Sequence, residues 1–255
     1  MDTPPVSAPP DAFGRAAHDY ERGRPGWPEP LLDEVVGELG LGPESSVLDL
    51  AAGTGKLTRL LVPRFRRVVA VEPDEAMLAV LAEVVPEAEA LVGPAEAIPL
   101  PDDAVDAVFV AEAFHWFASD ATVAEIARVL RPRGGLVLLW NTQTKHDPQL
   151  PEEAARFVEE AIERGGAPGI SRVLSGAWRE PLARSWFEEL RERQADAEET
   201  ISRDQRIAYL LSISSIASQP EAARVELAEK LRELAPDVPY RRLLHTDLCW
   251  TRLGG

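Results

Sequence analysis

An α/β fold built on a mostly parallel sheet is what this sequence predicts, and three observations carry the prediction. Between residues 28 and 141, five short apolar runs alternate with segments of helical period. The runs are apolar at consecutive positions, as strands covered on both faces must be. At 255 residues the chain is long enough for one α/β domain with a sizeable core and a small insertion or lid. Alternation of this kind means βαβ units and a parallel sheet.

The elements follow in order. In WPEPLLDEVVGELG, Leu31, Leu32, Val35, Val36 and Leu39 recur at helical spacing, and Pro28 and Pro30 suit the first turn. SSVLDLA (45–51), coming after Gly42 and Pro43, is a short buried strand. GKLTRLLV (55–62) is the next helix, stopped near Pro63, and RVVAVE (67–72) is a strand. DEAMLAVLAEVV (74–85) is a helix whose acidic start complements the macrodipole. EALVG (89–93) is a weaker strand and VDAVFVAE (105–112) a stronger one. SDATVAEIARVL (119–130) is a helix that Ser119 or Asp120 can cap and Arg131-Pro132 ends, and GLVLLWN (135–141) is the fifth strand.

The remainder is less regular. PEEAARFVEEAIERG (151–165) reads as a helix closed by Gly165-Gly166, and residues 166–180 as a loop. A strand is expected within 186–200, running to about Ile201, then helices over about 203–216 and 220–235. Leu244, Thr246, Leu248 and Trp250 alternate in RRLLHTDLCWTRL (241–253), a final strand. AYLLSISSIASQ (208–219), apolar with small hydroxyls, reads either as a lid or pocket wall or as plain core. MDTPPVSAPP (1–10), with four prolines, reads as a disordered tail. Residues 11–255 are expected to form one domain, with its core at 28–142 and a helical or lid region with a strand pair at 143–255.

Composition narrows the function. The net charge of −16 and the absence of any Lys/Arg run leave no basic footprint for phosphates, so a nucleic-acid partner is not expected. The single cysteine, Cys249, excludes an intramolecular disulfide and a thiolate metal site. His18, His115, His146 and His245 form no i, i+4 pair, and no metal is expected. With no charged-then-apolar leader and no membrane-length apolar stretch, the expectation is a cytoplasmic protein, monomer or homodimer, acting on a small molecule.

VLDLAAGTGKLTRLL (47–61) is a strand, a small-residue turn and a helix. Gly53 and Gly55 let backbone and ligand approach closely, and amides at the helix start can face polar ligand atoms. A P-loop fails here because Lys56 is followed by Leu57 and the leading glycine is replaced by Leu50. A dinucleotide fingerprint fails because Thr58 occupies its third glycine position. Glu72, at the end of VVAVE, is placed to accept both hydroxyls of a ribose. The plainer reading is a strand-end charge.

Together with GPAEAIPLPDDAVDAVFVAEAFHWF (93–117), VLDLAAGTG and VVAVEPDEAML resemble, in order, the class I S-adenosylmethionine-dependent methyltransferases, in their small-molecule branch. The likeness covers about residues 12–142, and the trans-aconitate and malonyl-carrier-protein methyltransferase types are more distant relatives. It implies a Rossmann-like, seven-stranded, mostly parallel sheet with helices on both faces and a carboxy-terminal antiparallel strand. It also implies S-adenosyl-L-methionine as cofactor.

By the same resemblance, backbone around Ala51, Gly53, Thr54 and Gly55 holds the methionine portion, and Asp49 orients that turn. Glu72, with Pro73 beside it, takes the ribose, Met77 packs on the adenine, and Ala95-Glu96 reaches the adenine edge. Ala111 and Glu112 sit beside the methionine end. Two departures stand out. Ala51 replaces a frequent glycine and is strained if the position needs positive φ, and Pro94 replaces a frequent aspartate.

The catalytic candidates are Glu112 and His115. His115 either deprotonates a hydroxyl or carboxylic acid, its reference pKa being near neutrality, or merely shapes the wall. Tyr20 and Arg24, in YERGRPGWP, lie over the cofactor pocket in similar proteins, and Arg24 can pair with a carboxylate. Trp116, Trp140 and Asn141 sit at the strand edge that faces ligands in open α/β sheets and complete the substrate candidates. The expected reaction is O-methylation of a carboxylate or hydroxyl. The competing reading is a protein of the same fold that binds the cofactor without transferring methyl.

Overall fold

The computed structural model describes residues 17–142, 150–166 and 170–254. The tail expected at 1–10 lies outside them.

Seven strands form one sheet: β1 (Ser46–Leu50), β2 (Arg67–Glu72), β3 (Glu89–Val92), β4 (Val105–Ala111), β5 (Leu130–Thr142), β6 (Arg191–Ile201) and β7 (Tyr240–Arg252). Their spatial order is β3-β2-β1-β4-β5-β7-β6. All neighbours from β3 to β5 pair in parallel, while β7 runs antiparallel to both β5 and β6. The chain order reverses between β1 and β4, and the carboxyl ends of those strands open the crevice where such sheets bind ligands.

Alternate side chains of each inner strand go to opposite faces, and each face has its own core. On one face Val47, Phe109, Val137 and Leu139 pack with Leu31, Leu32 and Val35 of α2 (Glu29–Glu38) and Leu61 of α3 (Thr58–Leu61). Leu78 and Leu81 of α4 (Glu75–Val84) cover Ala70 of β2. On the other face Leu48, Val108, Val110, Leu136 and Leu138 meet Phe114 of α5 (Phe114–Phe117) and Val123, Ile126 and Val129 of α6 (Asp120–Val129). A separate apolar cluster joins α7 (Glu152–Gly165), α10 (Arg203–Leu211), α11 (Ser214–Ala217) and α12 (Glu221–Leu234). None of the helices among the described residues is long and apolar enough to cross a membrane.

Four expectations need correction. A helix, α1 (Ala17–Gly23), precedes the first expected element. It is held by packing on α10: a Cβ on Gly23 would collide with the Tyr209 backbone. The stretch 166–180 is not all loop, because α8 (Ile170–Ser175) lies within it and α9 (Arg179–Ala183) begins there. Residues 55–57 remain in the turn, so α3 starts only at Thr58. The helix expected over 203–216 breaks into α10 and α11 at Ser212, whose carbonyl accepts from Arg24 instead of continuing the helix.

Candidate functional site

The turn after β1 is built from three left-handed residues: Ala51 (φ 58), Gly53 (φ 57) and Gly55 (φ 84). Only glycine takes this conformation freely, so Ala51 carries the strain foreseen for it. Gly55 needs its missing side chain as well, because a Cβ there would lie 2.9 Å from Leu81 Cγ. Glu72, at the end of β2, ties this turn to the start of α4. Its Oε2 accepts from the Gly53 amide at 2.9 Å and its Oε1 from the Asp74 amide at 3.0 Å. Asp74 caps α4 through the Ala76 and Met77 amides. Met77 is buried against Ala17, Val80 and Tyr20, and a Cβ on Gly53 would sit 3.6 Å from its sulfur.

Beside this turn lies a cleft lined by Tyr20, Arg24, Pro25, Trp27, Asp49, Ala51, Ala52, Lys56, Leu57, Ala111, Glu112 and Asn141. The structure therefore brings seven of the expected residues together: Tyr20, Arg24, Asp49, Ala51, Ala111, Glu112 and Asn141. Asp49 is fully covered, with its Oδ2 accepting from the Thr58 hydroxyl at 2.6 Å. Glu112 leaves β4 with φ 60, a conformation that turns its carboxylate back so that Oε1 accepts from the Asn141 amide at 2.8 Å. Asn141 donates to the Gly26 carbonyl and accepts from Thr246, fixing the segment before α2 against β5 and β7.

Burial sets the electrostatics. It pushes the carboxyl of Asp49 up to about 7, although the Thr58 hydroxyl pulls the other way. It pushes Glu72 up to about 7 against the two amides that favour its charged form. It also raises Glu112, opposed by Arg24 and then by the Asn141 amide. Asp49 and Glu72 are thus short of positive charge, whereas Glu112 has Arg24 beside it. The phenol of Tyr20 is pushed up to about 12 by burial, so it remains a donor.

Other expected residues lie elsewhere. The hydroxyl of Thr54 is taken by Glu21 at 2.7 Å. Ala95 is buried with Ile98 and Leu100, Glu96 and Pro73 are exposed, and the Pro94 carbonyl accepts from Ala97. Trp140 is a correction: it is 2% exposed and its ring lies 4.6 Å from that of Trp178, so it packs the core and does not face a substrate. Trp116 lies under the Arg172 guanidinium and 5.0 Å from the His115 ring, outside the cleft lining.

His115 is a correction too, as a base. Its Nδ1 accepts from the Trp140 indole at 3.1 Å, and an indole N–H can only donate. The neutral ring therefore carries its proton on Nε2. Burial, and then Arg172, pull its pKa down to about 4. Among the described residues, no three of His, Cys, Asp and Glu gather to hold a metal ion.

Three participants escaped the sequence reading: Trp27, Lys56 and Glu21. Lys56 and Arg59 both pair with Glu21, which also holds Thr54. The signal for Trp27 was its place between Gly26 and Pro28, in the same motif as Tyr20 and Arg24.

A family model described as a methyltransferase domain matches residues 48–138. An uncharacterized methyltransferase of Mycobacterium bovis is 39% identical over 228 residues, covering 89% of this chain and 87% of that protein. A malonyl-[acyl-carrier protein] O-methyltransferase of Methylococcus capsulatus is 38% identical over 138 residues, 49% of this chain and 48% of its own. A solved chain from Anaeromyxobacter dehalogenans, assigned as a type II methyltransferase, superposes with a TM-score of 0.61 at 26% identity, covering 91% of this chain and 98% of that one.

Proposed function

The chain belongs to the class I S-adenosylmethionine-dependent methyltransferases, and from that premise we propose that it is a small-molecule O-methyltransferase whose preferred acceptor is a carboxylate. The residues fit the cofactor: the buried carboxyls of Asp49 and Glu72 are shifted by no neighbouring cation, and S-adenosylmethionine brings a sulfonium and an ammonium. In this reading Glu72, Gly53 and Met77, which lie together, serve the adenosine, and Asp49, Ala51 and Ala111, which line the cleft, serve the amino-acid end. When bound, the cofactor supplies an electrophilic methyl group.

The observation that carries the acceptor class is the hydrogen bond from Trp140 to His115. It occupies the lone pair a base would need, so the side chain best placed by sequence to deprotonate a hydroxyl is already engaged. A carboxylate is ionised at neutral pH and needs no base. The protein then has to align the acceptor oxygen with the methyl and exclude water. The partial relative that O-methylates malonyl-[acyl-carrier protein] supports oxygen as the nucleophile. For a hydroxyl acceptor, Glu112 is the cleft group in place to take the proton.

Transfer of a radiolabelled methyl from S-adenosylmethionine to a library of carboxylic acids, phenols and alcohols tests the reading. The expected product is a methyl ester, recognised because mild alkali releases its label as methanol. Alkali-stable ethers would move the assignment to a hydroxyl. Cofactor binding without turnover on any acceptor would favour a non-transferring protein of the same fold.

A further inference from the structure

Two polar atoms on residues of the cleft have no hydrogen-bond partner among the described residues, and their senses are opposite. Asp49 Oδ1 is an acceptor and Trp27 Nε1 can only donate. The residues are 1% and 8% exposed, so water does not readily serve either. Among the described residues, Arg203 and Ser215 also carry a buried atom of this kind, but neither lines the cleft. A buried donor or acceptor left unmade costs stability, and a native fold keeps one where a ligand completes it.

A ligand of this cleft that satisfies both must present an acceptor and a donor at the same end. S-Adenosylmethionine does so at its amino-acid end, where a carboxylate and an ammonium share one carbon. Its ribose and adenine are better matched by Glu72 and Met77, which adjoin Gly53 and are not among the residues lining the cleft. We infer that Trp27 is a cofactor-binding residue, its indole N–H donating to the cofactor carboxylate while Asp49 Oδ1 accepts from the neighbouring ammonium. The inference rests on seating the cofactor in this cleft.

The charged donors nearby already have protein partners. Lys56 faces Glu21 at 3.6 Å, and Arg24 donates to Ser212 through Nε and Nη2. The indole is held ready: Pro28 precedes α2, and the Gly26 carbonyl is fixed by Asn141 at 3.0 Å. A donor already in position loses little freedom on binding.

Calorimetric titration with S-adenosylhomocysteine and with 5′-methylthioadenosine, which lacks the amino-acid end, tests the assignment. Trp27→Phe keeps the apolar packing and removes the N–H. It is expected to weaken S-adenosylhomocysteine about tenfold or more while leaving 5′-methylthioadenosine within about twofold. In ¹⁵N-indole spectra of the wild type, the Trp27 Nε1–H resonance should shift with S-adenosylhomocysteine and stay in place with 5′-methylthioadenosine. Equal weakening of both ligands, or an Nε1–H signal that responds to them alike, overturns the role of Trp27. If the wild type binds neither, the placement of the cofactor is wrong and the inference goes with it. Should Trp27→Phe fail to fold, the wild-type spectra decide alone.

Discussion

Arg24 holds Ser212 by two hydrogen bonds, from Nε to its hydroxyl and from Nη2 to its carbonyl, each 2.9 Å long. One guanidinium thereby ends α10, starts the break before α11, and joins the wall of the cleft to the helical cluster of the carboxy-terminal half. Arg24→Leu should cost about 2–3 kcal/mol, because two charge-assisted bonds are lost and a carbonyl is left unpaired. Urea denaturation of the ligand-free protein measures the loss. Arg24→Leu with unchanged stability would show that the α1–α10 packing around Gly23 suffices.

Glu72 should govern cofactor affinity through the geometry of the turn as well as through its own contact. Glu72→Ala removes the acceptor of both the Gly53 and Asp74 amides, and a loss of about tenfold or more in affinity for S-adenosylhomocysteine is expected. Calorimetry gives the number. A variant that binds normally would place the ribose elsewhere.

The raised carboxyls predict a pH dependence with a definite sign. Asp49 and Glu72 ordinarily titrate near 3.8 and 4.5 but are pushed up to about 7 in the fold. Between those values the folded chain binds protons that the unfolded chain has released, so these groups make ligand-free stability fall as pH rises from about 4 to about 7. A bound cation favours their charged forms. Cofactor affinity should therefore rise over that window, with protons released on binding, and more for S-adenosylmethionine than for its uncharged-sulfur product. Titration in buffers of different ionisation enthalpy counts the protons. Proton uptake on binding would contradict this account.

His115 should leave no mark on the rate profile as a base. With its Nδ1 engaged and its pKa down to about 4, kcat/KM is expected to show no limb near pH 6–7 that vanishes in His115→Gln. Removal of a true general base costs about a hundredfold or more. His115→Gln, which retains a side-chain N–H, should cost less than that.

The turn itself allows a paired test. Gly55→Ala forces a left-handed alanine whose Cβ meets Leu81 and Val85, and should destabilise by about 2–4 kcal/mol. Ala51→Gly removes a left-handed penalty of about 1 kcal/mol, offset in part by the greater freedom of glycine when unfolded, so stability should hold or rise slightly. Thermal melts of both variants make the comparison.

Legibility followed burial. Val68–Val71 and Val108–Val110 are covered on both faces of the sheet, and their unbroken apolar runs gave each strand a local signature; in β1 the apolar Val47, Leu48 and Leu50 flank the buried Asp49. The Gly53–Gly55 turn and Glu72 were equally readable, because backbone conformation and a strand-end acid are local properties. What stayed hidden depends on distant partners. The short α1 is held by α10, the break at Ser212 by Arg24, and the protonation of His115 by Trp140, which is 25 residues away. Trp140 was misread because a strand-end residue near ligands and a core residue differ only in which face it takes, and Trp178, which covers it, comes later in the chain.

The antiparallel β7 sits between β5 and β6, yet β6 is made first. While the ribosome is still translating residues 202–239, β6 has no neighbour to bond, whereas the five parallel strands already have theirs. Biogenesis should therefore proceed in two stages: an early nucleus through β5, then a late event in which β7 inserts and carries β6 onto the sheet. Asn141 and Thr246 meet only in that second stage, so the cleft would be finished last.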